Sequence, residues 1–80
     1  MKILTWNMNG LSRKIQDQDF IHEINNYDII ILTETWLSKN TCVNLEIPKY
    51  NCKHLFGNKS RDTQKGRYSC GISLYYKRYN

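Results

Sequence analysis

Eighty residues, 40% hydrophobic and 24% charged, suit one globular domain and exclude a disordered or fibrous chain. The net charge of +5 is uneven: residues 1–46 carry four Lys and Arg against six Asp and Glu, residues 47–80 eight against one. No run of about 18 apolar residues is present to span a bilayer, and the start, Met1-Lys2-Ile3-Leu4-Thr5-Trp6, lacks the order of a signal peptide. The expectation is a soluble intracellular protein, with the nucleus open as a compartment.

Lys2-Ile3-Leu4-Thr5-Trp6 is β-branched and aromatic and runs into Asn7-Met8-Asn9-Gly10, which predicts a strand ending in a turn. From Ser12 to about Asn26 the apolar residues Ile15, Phe20, Ile21, Ile24 and Tyr27 recur at helical spacing. Asp17, Asp19 and Glu23 crowd the early part, where the helix dipole favours them. Asn25-Asn26 supply a stop. Asp28-Ile29-Ile30-Ile31-Leu32-Thr33 then predicts a strand apolar on both faces.

Strand, helix and strand within 33 residues make a βαβ unit with a right-handed crossover. Parallel strands end at one edge, so Asn7 and Glu34 should lie near each other there if the strands are neighbours. Open α/β sheets bind ligands at that edge.

Beyond a loop at residues 38–41, Pro48 precedes a third predicted strand from Tyr50 to Phe56. Residues 57–67 are polar and basic. Ser69-Cys70-Gly71-Ile72-Ser73-Leu74-Tyr75-Tyr76 alternates with period two, which predicts a strand able to form a hairpin with the segment around Tyr50. One helix covers only one face of such a sheet, so a second copy, a partner or further chain is needed over the other.

Cys42, Cys52 and Cys70 are odd in number and widely spaced, which argues against a disulfide framework. Adding His54 does not make a zinc set, because separations of ten and eighteen residues match no common ligand spacing. Glu34 ends an apolar strand, where a carboxylate is costly to bury unless a cation such as Mg²⁺ compensates it. An ordinary exposed Glu has the same address. Asn7 and Asn9, taken alone, are turn residues.

The basic half suits a polyanionic partner, since Lys and Arg near phosphates release counterions without reading sequence. Lys59, Arg61, Lys65 and Arg67 are the candidate nucleic-acid contacts, although a solvated loop has the same composition. Trp36, Tyr50, Phe56, Tyr68, Tyr75, Tyr76 and Tyr79 interleave with these bases and are either stacking surfaces for unpaired bases or strand core.

Three segments taken together carry more weight. Thr5-Trp6-Asn7-Met8-Asn9-Gly10-Leu11, Thr33-Glu34-Thr35-Trp36-Leu37 and Ser69-Cys70-Gly71-Ile72 resemble, in order and spacing, the start of the endonuclease/exonuclease/phosphatase superfamily. The branch they look most like is the apurinic-type endonuclease domain of non-LTR retrotransposons. The resemblance implies an α/β fold, with residues 1–80 as the N-terminal part of a four-layered α/β sandwich: a βαβ unit, further strands, and an absent C-terminal remainder.

It also implies a Mg²⁺-dependent phosphodiester hydrolase acting on DNA, with Mn²⁺ as a substitute. In it Glu34 is the metal-binding acid, Asn7 a catalytic amide beside the scissile phosphate, and Asn9 a weaker metal ligand. The family's G-D-x-N and S-D-H segments are absent, and neither His22 nor His54 matches its catalytic His, so the isolated 80 residues are expected to be inactive. Two alternatives stand: an inositol-phosphate or lipid phosphatase of the same superfamily, and a non-catalytic basic module that binds nucleic acid.

Overall fold

The apolar runs at either end of the first 33 residues pair in parallel, and the rest of the fold is built on that pair. The computed structural model describes residues 1–38, 44–56, 58–59 and 68–79. The elements are β1 (Ile3–Asn7), α1 (Leu11–Lys14), α2 (Gln18–Ile24), β2 (Ile29–Thr33), β3 (Tyr50–Leu55), β4 (Asn58–Lys59), β5 (Tyr68–Ser69) and β6 (Ile72–Lys77). Four strands form one mixed sheet in the order β1-β2-β6-β3, and β4 pairs with β5 in a separate two-stranded ribbon. The α/β class expected from the sequence is the class observed.

β1 and β2 are parallel, in register from Ile3 opposite Ile29 to Asn7 opposite Thr33. β6 lies antiparallel between β2 and β3, with Tyr75 opposite both Ile30 and Cys52. Alternation along the strands then sorts the side chains into two faces. Leu4, Ile30, Tyr75 and Cys52 form one row on the helical side, and Trp6, Leu32, Ser73 and His54 form the next. Ile30, Leu32 and Tyr75 are completely buried there, in a core shared with Leu11, Ile15, Phe20, Ile24, Leu37 and Ile47.

The helical side departs from expectation in one respect. Instead of one helix over residues 12–26 there are two short ones. α1 stops at Ile15, where the Gln16 side-chain amide donates to the Ser12 carbonyl at 2.8 Å. Asp17 is extended and caps α2 by accepting the Asp19 N–H at 2.9 Å. The acidic residues that suit a helix dipole are here a helix start, because a short carboxylate competes well for the free N–H groups of a first turn. The apolar stripe survives the break: Ile15, Phe20 and Ile24 are buried.

Buried phenols tie the layers together. The Tyr50 hydroxyl lies between the Ile24 and Tyr27 carbonyls, at 2.9 and 2.5 Å, and serves the open C-terminal end of α2. The Tyr75 hydroxyl donates to the Leu45 carbonyl at 2.6 Å. Burial holds both phenols above their ordinary range, so they remain donors. Neither ring is available for stacking on a nucleobase: Tyr75 is strand core, one of the two roles its sequence position allowed, and Tyr50 is core as well rather than a stacking surface.

The opposite face carries Ile3, Ile29, Ile31, Ile72, Leu74 and Leu55. Ile3, Ile72 and Leu55 are exposed, and Ile31 and Leu74 line an open groove of about 590 Å³. β2 is therefore buried on the helical side and only half-buried on the other, rather than buried on both. The reason is that the two helices lie on the same side of the sheet. The last predicted strand is also interrupted: Cys70 and Gly71, at φ 64° and 93°, separate β5 from β6. Among the described residues no helix is long and apolar enough to cross a membrane.

Candidate active site at the strand tips

Because β1 and β2 are parallel neighbours, Asn7 and Thr33 are partners at one edge, and Glu34 follows Thr33 directly. Beyond the regular ladder the backbone bonds continue in an irregular lacing. Met8 N–H donates to the Thr33 carbonyl at 2.8 Å, Gly10 N–H to Glu34 at 2.9 Å and Leu11 N–H to Thr35 at 3.0 Å. On the other side, Thr35 N–H donates to Gly71 at 3.3 Å and Trp36 N–H to Cys70 at 3.0 Å. The turn after β1, the segment after β2 and the approach to β6 are thus bonded to one another.

That lacing holds unusual backbone. Asn9, Glu34, Trp36 and Cys70 all have positive φ, between 51° and 64°, and Gly10 lies beside them at 104°. Left-handed conformations cost a non-glycine residue roughly 1–2 kcal/mol each, and such residues gather at functional edges where surrounding bonds hold them. Lys49, in the turn before β3, is the remaining non-glycine residue of this kind among those described.

Asn7 and Asn9 are exposed, Glu34 and Trp36 half-buried, and Thr35 fully buried with its hydroxyl unpartnered. Met8 and Leu11 anchor the turn from below in the core. The Trp36 indole Nε1–H donates to Glu34 Oε2 at 3.2 Å. The edge therefore offers one carboxylate and two amides to a polar ligand. Among the described residues no three of His, Cys, Asp and Glu converge as a metal-binding group. A cation here would take Glu34 and amide oxygens, and fill its remaining positions from solvent, phosphate or further protein.

The other sequence candidates lie elsewhere. Lys59 belongs to β4, whereas Arg61, Lys65, Arg67 and Cys42 fall outside the described residues. Cys52 and Cys70 are free thiols. The sequence pattern assigned no part in the site to Trp36, whose side chain reaches Glu34 only through the positive φ of both residues.

His22 is exposed in the last turn of α2. His54 is on the helical face of the sheet, its Nδ1 2.6 Å from the Ser73 hydroxyl, its ring stacked near Phe56 and edge-on to Tyr75. Ser73 is fully buried, so the pair presents no nucleophile to solvent. Nε2 of His54 is buried without a partner, and burial depresses its pKa below the ordinary value. A depressed histidine binds fewer protons folded than unfolded, so stability should fall as pH drops below about 6.5, towards the lower folded value. Urea titrations at pH 7.5 and 5.5 should show this loss in the native chain and a smaller one in His54→Gln. An equal loss in both would assign the acid sensitivity to other groups.

Asp28, at the opposite end of the sheet, behaves independently. Its carboxylate accepts from the Tyr79 hydroxyl and from the Lys2 N–H, and these bonds hold its pKa below the usual carboxylate value. Its contribution is present above about pH 4 and disappears only in stronger acid.

The fold is thus a mixed α/β sheet with a carboxylate and two amides gathered at the tips of two parallel strands. Residues 4–79 match the family model described as the Endonuclease/Exonuclease/phosphatase family, and the chain belongs to that family. Membership makes it a relative of nucleases and phosphatases, enzymes that hydrolyse phosphate esters. No curated protein matches the chain.

Proposed function

We propose that these 80 residues are the N-terminal portion of a Mg²⁺-dependent phosphodiester hydrolase, a DNA endonuclease of retrotransposon type, with Glu34 as metal-binding acid and Asn7 as a catalytic amide. One observation carries the reading. Three segments widely separated in sequence, around Asn7, Glu34 and Gly71, are bonded together at a single edge that holds a carboxylate and strained backbone.

The donor set suits a hard cation that uses one or two carboxylates and completes its shell with water and phosphate oxygens. Mg²⁺, or Mn²⁺ in its place, would be held by Glu34 with help from the Asn9 amide oxygen. Asn9 is a weaker donor because a neutral amide brings no charge. When bound, the ion supplies positive charge against a phosphate and its leaving oxygen. Asn7, exposed beside it, can hydrogen-bond a phosphate oxygen and orient the ester for in-line attack.

Proton transfer is the function these side chains leave undone. His54 is half-buried on the helical face with its Nδ1 on the Ser73 hydroxyl, and His22 lies on a helix, so neither is assigned as general base. The groups that activate water and protonate the leaving oxygen are assigned to the C-terminal remainder of the same domain. Lys59, Arg61, Lys65 and Arg67 would add positioning contacts to the DNA backbone, to be read out as salt-dependent affinity.

Nicking of supercoiled DNA with Mg²⁺ tests the proposal. The 80-residue chain should show no turnover above background. The chain continued through G-D-x-N and S-D-H segments should cut, and should lose cutting with chelator and in Glu34→Ala. Robust turnover by the 80 residues that Glu34→Ala abolishes would overturn the assignment as an incomplete domain. Cutting that survives Glu34→Ala in the continued chain would overturn the site.

A further inference from the structure

We infer that Trp36 is a positioning residue for the Glu34 carboxylate, a neutral donor that fixes the acid's orientation at the strand edge without competing for its charge. The inference rests on the reading of Glu34 as metal-binding acid and adds to it the group that holds that acid in place.

Three observations support it. The first is the bond: Trp36 Nε1–H donates to Glu34 Oε2 at 3.2 Å, with both side chains half-buried. The second is the seat of the ring. A Cβ placed on Gly10 would lie 3.0 Å from Trp36 Cε3 and 3.3 Å from Cζ3, so the benzenoid part of the indole rests directly on the turn after β1. One side chain therefore spans both strand tips, its ring on the tip that carries Asn7 and its N–H on the tip that carries Glu34.

The third is the backbone. Glu34 and Trp36 have φ of 53° and 57°, and a bulky residue at positive φ is an outlier that surrounding structure must hold. Here it is held by Gly10 N–H to the Glu34 carbonyl and by Trp36 N–H to the Cys70 carbonyl. The strained conformation is thus maintained by the same bonds that bring the three segments together.

The chemistry of the donor matters. An indole N–H donates one hydrogen bond, accepts none and does not titrate. A Lys or Arg at this place would orient the carboxylate equally well but would cancel the charge that attracts a cation. With Oε2 directed by the indole, the carboxylate keeps its full negative charge. Partners that orient a metal-binding side chain are typically worth about 10–100-fold in metal affinity.

Two measurements on the ¹⁵N-labelled chain separate this inference from the reading beneath it. Trp6 and Trp36 each contribute one indole N–H resonance, and Trp36→Phe identifies the second by its loss. Glu34→Gln should move the Trp36 indole proton upfield, because a charged acceptor becomes neutral, and leave the Trp6 signal in place. A Trp36 signal indifferent to Glu34→Gln overturns the inference, whatever the metal does.

Mn²⁺ titration, followed by line broadening, should affect the Trp36 indole before that of Trp6. Affinity should fall about 10-fold in Trp36→Phe, a variant that keeps an aromatic ring at the position and removes the donor. Unchanged affinity in a folded Trp36→Phe chain overturns the positioning role. Mn²⁺ binding equally tight in Glu34→Gln overturns instead the assignment of Glu34 as metal ligand, while the indole shift would still report the bond.

Discussion

Leu32→Ala should lower the melting temperature of the chain by about 12–24 °C. Leu32 is completely buried in the middle of β2, between Trp6 on β1 and Ser73 on β6. Removing a fully buried leucine side chain costs about 3 kcal/mol, partly lost transfer energy and partly the cavity left behind. A domain of this size has roughly 4–12 kcal/mol in hand, and each kcal/mol moves its midpoint by about 4–8 °C.

Leu55→Ala removes the same atoms from the open face, where Leu55 is 69% exposed. It should cost less than about 1 kcal/mol, since little apolar area is withdrawn from water there. Calorimetry of both variants beside the native chain checks the pair. Equal losses would mean that the open face is covered in solution, and the two-faced account of the sheet would have to be abandoned.

Gly10→Ala should be the second most disruptive change, and it reaches the site. At φ 104° a side chain is strained whatever the space, and the new methyl would meet the Trp36 ring at 3.0 Å. The conformational part alone is worth about 1–3 kcal/mol. The ring must move to admit the methyl, which carries its N–H away from Glu34, so Mn²⁺ affinity should fall together with stability.

A double-mutant cycle with Trp36→Ala separates the two effects. The steric part should vanish when the ring is gone, whereas the strain at Gly10 persists. Additive losses across the cycle would show that the ring does not rest on the glycine.

Much of the fold follows from local pattern. The continuous apolar run at Ile29–Leu32 and the β-branched start at Ile3–Trp6 led to two strands that prove to be parallel neighbours. The period-two alternation from Ile72 to Tyr76 led to a strand that does pair with the Tyr50 segment. In the helical region the apolar spacing was right about Ile15, Phe20 and Ile24 and silent about the break between α1 and α2. Periodicity reports which side is buried, and a capping Asp inserts a stop without disturbing that side.

The edge was less legible. Glu34 and Asn7 were identifiable from their positions at strand ends and from the motifs around them. The partnership of Trp36 with Glu34 was not, because it depends on positive φ at two residues that ordinarily avoid it. The placement of β6 between β2 and β3 was equally hidden, since the hairpin pattern accounts for one of its two neighbours and not the other.

By itself, then, the order of amino acids determined the strands, the apolar faces and a carboxylate at a strand end, all of which depend on residues within a few positions of one another. The tertiary structure decided that the two strands whose ends carry Asn7 and Glu34 are neighbours, and that the approach at Gly71 joins their edge. The bonds that join them span from 24 to 36 residues of chain. Their partners are chosen by sheet register and core packing together, and no local pattern specifies either.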